Sequence, residues 1–112
     1  MSDFEEVVKG RIVDRAAGAP IARARVEVYD EDMVLDDYLG TALTDEDGCF
    51  SVDFTTAEYK HGPFEGRPDI FLKVFNPVTD KTTKSKVFRD LKGDLADDDS
   101  VEVMDLGDTP VD

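Results

Sequence analysis

The stretch Leu39-Gly40-Thr41-Ala42-Leu43-Thr44-Asp45-Glu46-Asp47-Gly48-Cys49-Phe50-Ser51-Val52-Asp53-Phe54 decides the fold. Leu39, Thr41 and Leu43 share one parity, as do Phe50, Val52 and Phe54. A period of two marks strands with one face buried. Between the runs, Asp45-Glu46-Asp47-Gly48 is a tight turn. Asp turns its short side chain onto nearby backbone N–H groups, and Gly48 is free to take positive φ. The pair predicts a β-hairpin with a bulge, and Cys49 falls on the parity opposite to the core as a half-exposed thiol.

Outward from this segment the same period recurs. Val8, Gly10 and Ile12 share a parity, and Ala24, Val26 and Val28 alternate with Arg25, Glu27 and Tyr29. Ile70, Leu72 and Val74 alternate with Phe71 and Phe75, which predicts a central strand covered on both faces, by the sheet's partner and by a loop such as 55–68. Residues 81–88 read as a weaker strand whose Lys81, Lys84 and Lys86 blunt a sheet edge, and Val101 to Leu106 as the last strand. Thr55 to Lys60 carries the pattern of one helical turn, at 56–60, closed by His61-Gly62-Pro63. Residues 1–112 thus read as a single all-β domain, a seven- to eight-stranded Greek-key sandwich.

Composition removes several functions. The 112 residues hold 27 Asp+Glu against 13 Lys+Arg, a net charge of −14, which excludes a nucleic-acid backbone as partner. One cysteine leaves no disulfide framework and no Cys-based zinc site. No run of about 18 apolar residues is present, and the acidic start Met1-Ser2-Asp3-Phe4-Glu5-Glu6 has no apolar stretch of a secretory leader. A complete cytoplasmic protein is the expectation. Of the acids 19 are Asp and 8 Glu, a bias that suits turns and hard-metal loops. Adaptation to high salt would also give an acidic surface, but 7 of the 13 basic residues are Lys, against that reading.

With these elements in order, the chain resembles the transthyretin-like and carboxypeptidase-regulatory-like β-sandwich group. The residues concerned are Val8, Gly10, Ile12, Val13 and Asp14, the run Pro20 to Val28, the run Leu39 to Phe50, and Arg67 to Phe75. The resemblance implies a prealbumin-type Greek-key sandwich acting as a non-catalytic accessory or interaction module with a protein partner. The group's hydrolase branch, acting on 5-hydroxyisourate, relies on several histidines and a C-terminal Tyr-Arg-Gly-Ser. This chain has one His and ends Leu106-Gly107-Asp108-Thr109-Pro110-Val111-Asp112, so that activity is not carried over.

Two constellations carry alternatives. In the loop Asp30-Glu31-Asp32-Met33-Val34-Leu35-Asp36-Asp37, four aspartates lie close enough to supply calcium with oxygens. This loop also resembles the third loop of synaptotagmin-type sandwiches, which implies calcium ligation by Asp30, Asp32, Asp36 and Asp37 and membrane or protein contact by Met33 to Leu35. The plain alternative is an acidic turn with Val34 or Leu35 plugging the end of the core. An EF-hand is excluded, because counting from Asp45 puts Phe50 where the invariant glycine belongs. The second constellation is a small hydrolase using His61 with Cys49 or an acid, against which His61 reads as a turn residue. Finally, Phe64, Phe71, Phe75 and Phe88 exceed what one sheet face needs and offer a binding patch, as does the basic edge at Lys84 and Lys86.

Overall fold

Eight strands carry the chain: β1 (Glu5–Asp14), β2 (Arg25–Asp30), β3 (Asp37–Leu43), β4 (Cys49–Thr55), β5 (Ile70–Asn76), β6 (Lys81–Lys84), β7 (Asp94–Leu95) and β8 (Val101–Val111). The computed structural model describes residues 5–32, 35–55, 69–89, 94–95 and 101–112, with only the backbone at 94–95. The expected helical turn at 56–60, His61, Phe64, Met33 and Val34 lie outside the described residues.

The strands form two four-stranded sheets, ordered β4-β1-β8-β7 and β3-β2-β5-β6. The expected all-β sandwich is therefore the observed one. The alternations of β1, β2, β4 and β5 point inward as read from the sequence, but that of Leu39, Thr41 and Leu43 does not: a bulge in β3 leaves Leu39 buried and turns Thr41 and Leu43 outward. Val8 and Ile12 of β1 and Phe50, Val52 and Phe54 of β4 meet Val26, Val28, Ile70, Leu72 and Val74 of the other sheet. Fully burying side chains of this size contributes about 1.5–3 kcal/mol each, so the two inward faces hold the domain together.

The decisive turn does form, but it does not close a hairpin. Gly48 takes φ 79°, its N–H donates to the Asp45 carbonyl at 3.0 Å, and Asp45 Oδ1 accepts from the N–H groups of Asp47 and Cys49 at 2.9 Å each. Yet β3 pairs with β2 while β4 pairs with β1, so the chain arches from one sheet to the other. The cause sits just before the turn. Buried Thr44 accepts at Oγ1 from the Ala24 N–H (2.9 Å) and donates from the same hydroxyl to the Ile21 carbonyl (2.6 Å). Its backbone bonds both ways as well, to the Ala24 carbonyl and from the Arg23 N–H, each at 3.0 Å. On the far side, the Ile12 N–H donates to the Gly48 carbonyl at 2.8 Å. Thr44 is thus tied to the β3-β2 sheet and Gly48 to β1, and a β-carbon at Gly48 would lie 2.6 Å from the Ile12 carbonyl oxygen.

The C-terminal strand is longer than the alternation of Val101 to Leu106 predicts. Residues 101–111 all belong to β8, which runs parallel to β1 with a register shift between Lys9 and Arg11. Gly107, at φ 69°, absorbs the extra residue of that bulge. Asp112 is then fastened to the β5–β6 turn by the Asn76 and Thr79 side chains, which donate to its carbonyl, and by Arg15, paired with its carboxylate at 3.0 Å.

Candidate functional site

The outer face of the β3-β2-β5-β6 sheet is a small grid set by strand register. One transverse row is Tyr38–Tyr29–Phe71, the next Thr41–Glu27–Lys73–Lys84, and the third Leu43–Arg25–Phe75–Thr82. A bulge in β3 makes the grid possible. The register shifts between Val28 and Tyr29, so Tyr38 and Thr41 point outward while Leu39 is buried. Gly40 sits at the bulge against the core, where a β-carbon would approach Val52 Cγ1 to 2.6 Å. Tyr38 and Thr41 then share a hydrogen bond between their hydroxyls.

Along the first row the rings touch. Tyr29 stacks on Phe71 with centroids 5.2 Å apart and planes 8° from parallel, and it meets Tyr38 edge-on at 5.6 Å. Cations lie over the rings: Lys73 Nζ 4.8 Å from the Tyr29 centroid, Lys84 Nζ 4.4 Å from Phe71, and the Arg25 guanidinium 5.4 Å from Phe75. The Tyr29 hydroxyl donates to Glu27 at 3.2 Å. Burial and this bond to a carboxylate raise its pKa above the usual 10.0, because both disfavour the phenolate. Phe71 is fully buried, yet Tyr38 and Leu43 are 56% and 65% exposed on the same face. The apolar character of Phe71 and Phe75 on the second face of β5 was legible in the sequence, but their company was not. Tyr29, Tyr38 and Leu43 join them only through register.

The four aspartates of the 30–37 loop are placed differently from one another. Asp30 is buried, and its Oδ1 accepts the Asp69 N–H at 2.9 Å. The next residue donates its N–H to the Asp69 carbonyl at 2.8 Å, and Arg89 reaches both Glu31 (2.9 Å) and Asp69 (3.7 Å). Asp36 Oδ1 accepts the Asp32 N–H at 3.2 Å, and Asp37 lies opposite Asp30 in the ladder. Asp30 thus joins β2 to the entry of β5. Among the described residues no three acids, histidines or cysteines converge to hold an ion. Leu35 does not plug the core: it is 77% exposed.

Two carboxylates escaped the sequence reading. Glu6 and Glu102 are register partners on β1 and β8, and both are buried at 2% and 8% exposure. Extending the parity of Val8 and Ile12 back one step would have placed Glu6 inside, and Met104 does the same for Glu102. β7 reaches this region, the backbone of Asp94 and Leu95 pairing with Val103 and Glu102. Residues 96–100 lie outside the described residues.

Where β3 runs beside the opposite sheet, a shallow groove of about 650 Å³ is lined by Lys9, Arg11, Cys49 and Asp105 of that sheet and by Ala42 and Leu43 of β3. Its charged walls are two open ion pairs, Lys9–Asp105 at 4.0 Å and Arg11–Asp108 at 3.8 Å. The Cys49 thiol is exposed there, and its proposed partner His61 falls outside the described residues.

No protein-family model matches the chain, and no curated protein matches it. Solved structures share its fold. A 9R-lipoxygenase from Cyanothece PCC8801 superposes with TM-score 0.60 at 22% identity, over 97% of this chain and 16% of that one. A chlorocatechol 1,2-dioxygenase from Pseudomonas putida gives 0.60 at 18% identity, over 97% of this chain and 61% of that one. The dioxygenase domain of a dioxygenase carbohydrate-binding protein fusion from Streptomyces sp. SirexAA-E gives 0.60 at 18% identity, over 99% and 81%. This chain thus spans about a sixth of the lipoxygenase and about three-fifths of the chlorocatechol enzyme. At these identities the likeness is one of fold, a β-rich sandwich, and fold does not carry chemistry.

Proposed function

We propose that the protein is a non-catalytic interaction module of the transthyretin-like kind, which binds a protein partner through the outer face of the β3-β2-β5-β6 sheet. The observation that carries this reading is the make-up of that face: four aromatic rings with three cations over them, and Tyr38 and Leu43 standing exposed at its margin. Aromatic and Arg side chains are the ones enriched at the buried centres of protein interfaces.

Peptides selected from a random displayed library against the whole protein test the reading without assuming a ligand. The expected peptides bind the parent chain and a Lys9→Ser/Arg11→Ser variant of the opposite sheet equally, and lose binding to a Tyr38→Ser variant of unchanged circular dichroism, Tyr38 being outside the groove that Lys9 and Arg11 line. The reverse pattern overturns it.

A further inference from the structure

We infer that the partner of this face is an acidic, extended protein segment whose carboxylates replace the aromatic rings as the counterparts of Lys73, Lys84 and Arg25. The inference rests on the proposed binding role of the face and gives that role a ligand chemistry.

The charge of the face runs against that of the chain. The grid holds Arg25, Lys73 and Lys84 with Glu27 as its one acid, in a protein whose net charge is −14. Of the three grid cations, only Arg25 is within ion-pair distance of an acid among the described residues, Glu27 at 3.8 Å, although Glu27 is also the register neighbour of Lys73. Lys73 and Lys84 are instead held over rings. An ammonium over a ring keeps a weak attraction and gives up a position in which it would donate charge-assisted hydrogen bonds, the stronger interaction. A carboxylate arriving on the face gains those bonds and leaves the rings to pack against the apolar side chains beside it. An extended segment presents such side chains alternately, at the period of two that the grid itself has.

Size decides between a peptide and an anionic bilayer. Strands lie about 4.8 Å apart, so the three cations fall within a patch comparable to the Debye length of about 8 Å at physiological salt. A single segment seated on the patch senses mainly its positive field. A bilayer surface extends far beyond the patch and meets the acidic remainder of the chain as well, where the same-sign charge opposes contact. The face therefore fits a narrow anion and not a broad one.

The test is fluorescence anisotropy of a labelled ten-residue peptide alternating Glu and Leu, titrated with the full chain. Saturable binding is expected. It should weaken at least tenfold with Lys84→Glu, weaken similarly with Lys73→Glu, fall as salt rises from 0.15 to 0.5 M, and stay unchanged with Lys9→Glu. Lys84 is exposed, so Lys84→Glu and the milder Lys84→Ser leave the fold in place, which melting verifies. The inference is overturned by no binding, by binding that Lys84→Glu leaves intact, or by flotation with phosphatidylserine vesicles in place of peptide binding. Library peptides that depend on Tyr38 but carry no excess of acid would overturn the acidic ligand alone and leave the binding face standing.

Discussion

The two sheets turn very different outer faces to their surroundings. On β4-β1-β8 the outward side chains include Lys9, Arg11 and Ser51, with ion pairs Lys9–Asp105 and Arg11–Asp108 at 3.8–4.0 Å between half-exposed groups, beside one half-buried apolar pair, Val7 and Val103. Such ion pairs contribute about 0–1 kcal/mol each. On β3-β2-β5 the outward side chains are rings in contact, with cations laid over them and Phe71 fully buried. Both faces belong to central strands of the same sandwich. The difference teaches that the first face is mostly charged and carries only valines at intermediate burial, while the second holds a fully buried ring beyond what joining two sheets requires.

Substitutions at matched positions separate the faces most sharply. Phe71→Ala, on the aromatic face, is expected to cost about 3–5 kcal/mol in urea unfolding, the range for emptying a buried Phe site. Ser51→Ala, outward on the other sheet, should stay within about 0.5 kcal/mol. Equal losses would dissolve the contrast.

Gly40→Ala probes the bulge that lets Tyr38 and Thr41 share a face. Its β-carbon would stand 2.6 Å from Val52 Cγ1, so a loss of about 1–3 kcal/mol is expected from overpacking, read by the same unfolding curves. A Gly40→Ala/Val52→Ala double variant should lose less than the sum of the two single losses, because the smaller side chain makes room.

Asp30→Ala removes the acceptor of the Asp69 N–H, and a loss of about 1–3 kcal/mol is expected by thermal or chemical unfolding. Asp36→Ala, at an exposed carboxylate with one bond at 3.2 Å, should cost less than about 1 kcal/mol. Melting with and without millimolar calcium sharpens the pair. An unchanged midpoint leaves Asp30 as a link between strands, whereas a midpoint rising with calcium assigns the loop to the ion.

The smallest effect is one of pH. The raised Tyr29 pKa means that the folded state favours the neutral phenol more than the unfolded chain does. The resulting stability is complete below the ordinary value of about 10 and is lost as pH rises through the higher folded value. Stability should therefore fall above about pH 10, and Tyr29→Phe should flatten that part of the profile.

Much of this was legible along the chain. Ala24, Val26 and Val28, Phe50, Val52 and Phe54, and Ile70, Leu72 and Val74 were readable as inward positions, since alternation is a local property of an extended backbone. The turn at Asp45 to Gly48 was readable for the same reason. Whether it closed a hairpin was not, because the partners of β3 and β4 come from residues far away. The apolar alternation that marks the last strand ends at Leu106, five residues short of the strand itself. In the fold Gly107 serves a bulge, and Pro110 lies on a stretch of β8 whose other side has no partner strand among the described residues, where a missing N–H costs little. The acidic loop was found, but not that Asp30 is spent on Asp69, thirty-nine residues away.

The sequence by itself determined that the chain is a β-sandwich, where its main turn lies, and that its overall charge repels nucleic acid. Period, turn chemistry and charge are each written in neighbouring residues or in a sum over all of them. Only the tertiary structure decided which strands share a sheet, that Glu6 and Glu102 face each other inside, and that Tyr38, Tyr29 and Phe71 form one row with Lys73 and Lys84 above it. Register does this: it joins side chains from β3, β2, β5 and β6, from Arg25 to Lys84, into one surface whose character none of its strands has alone.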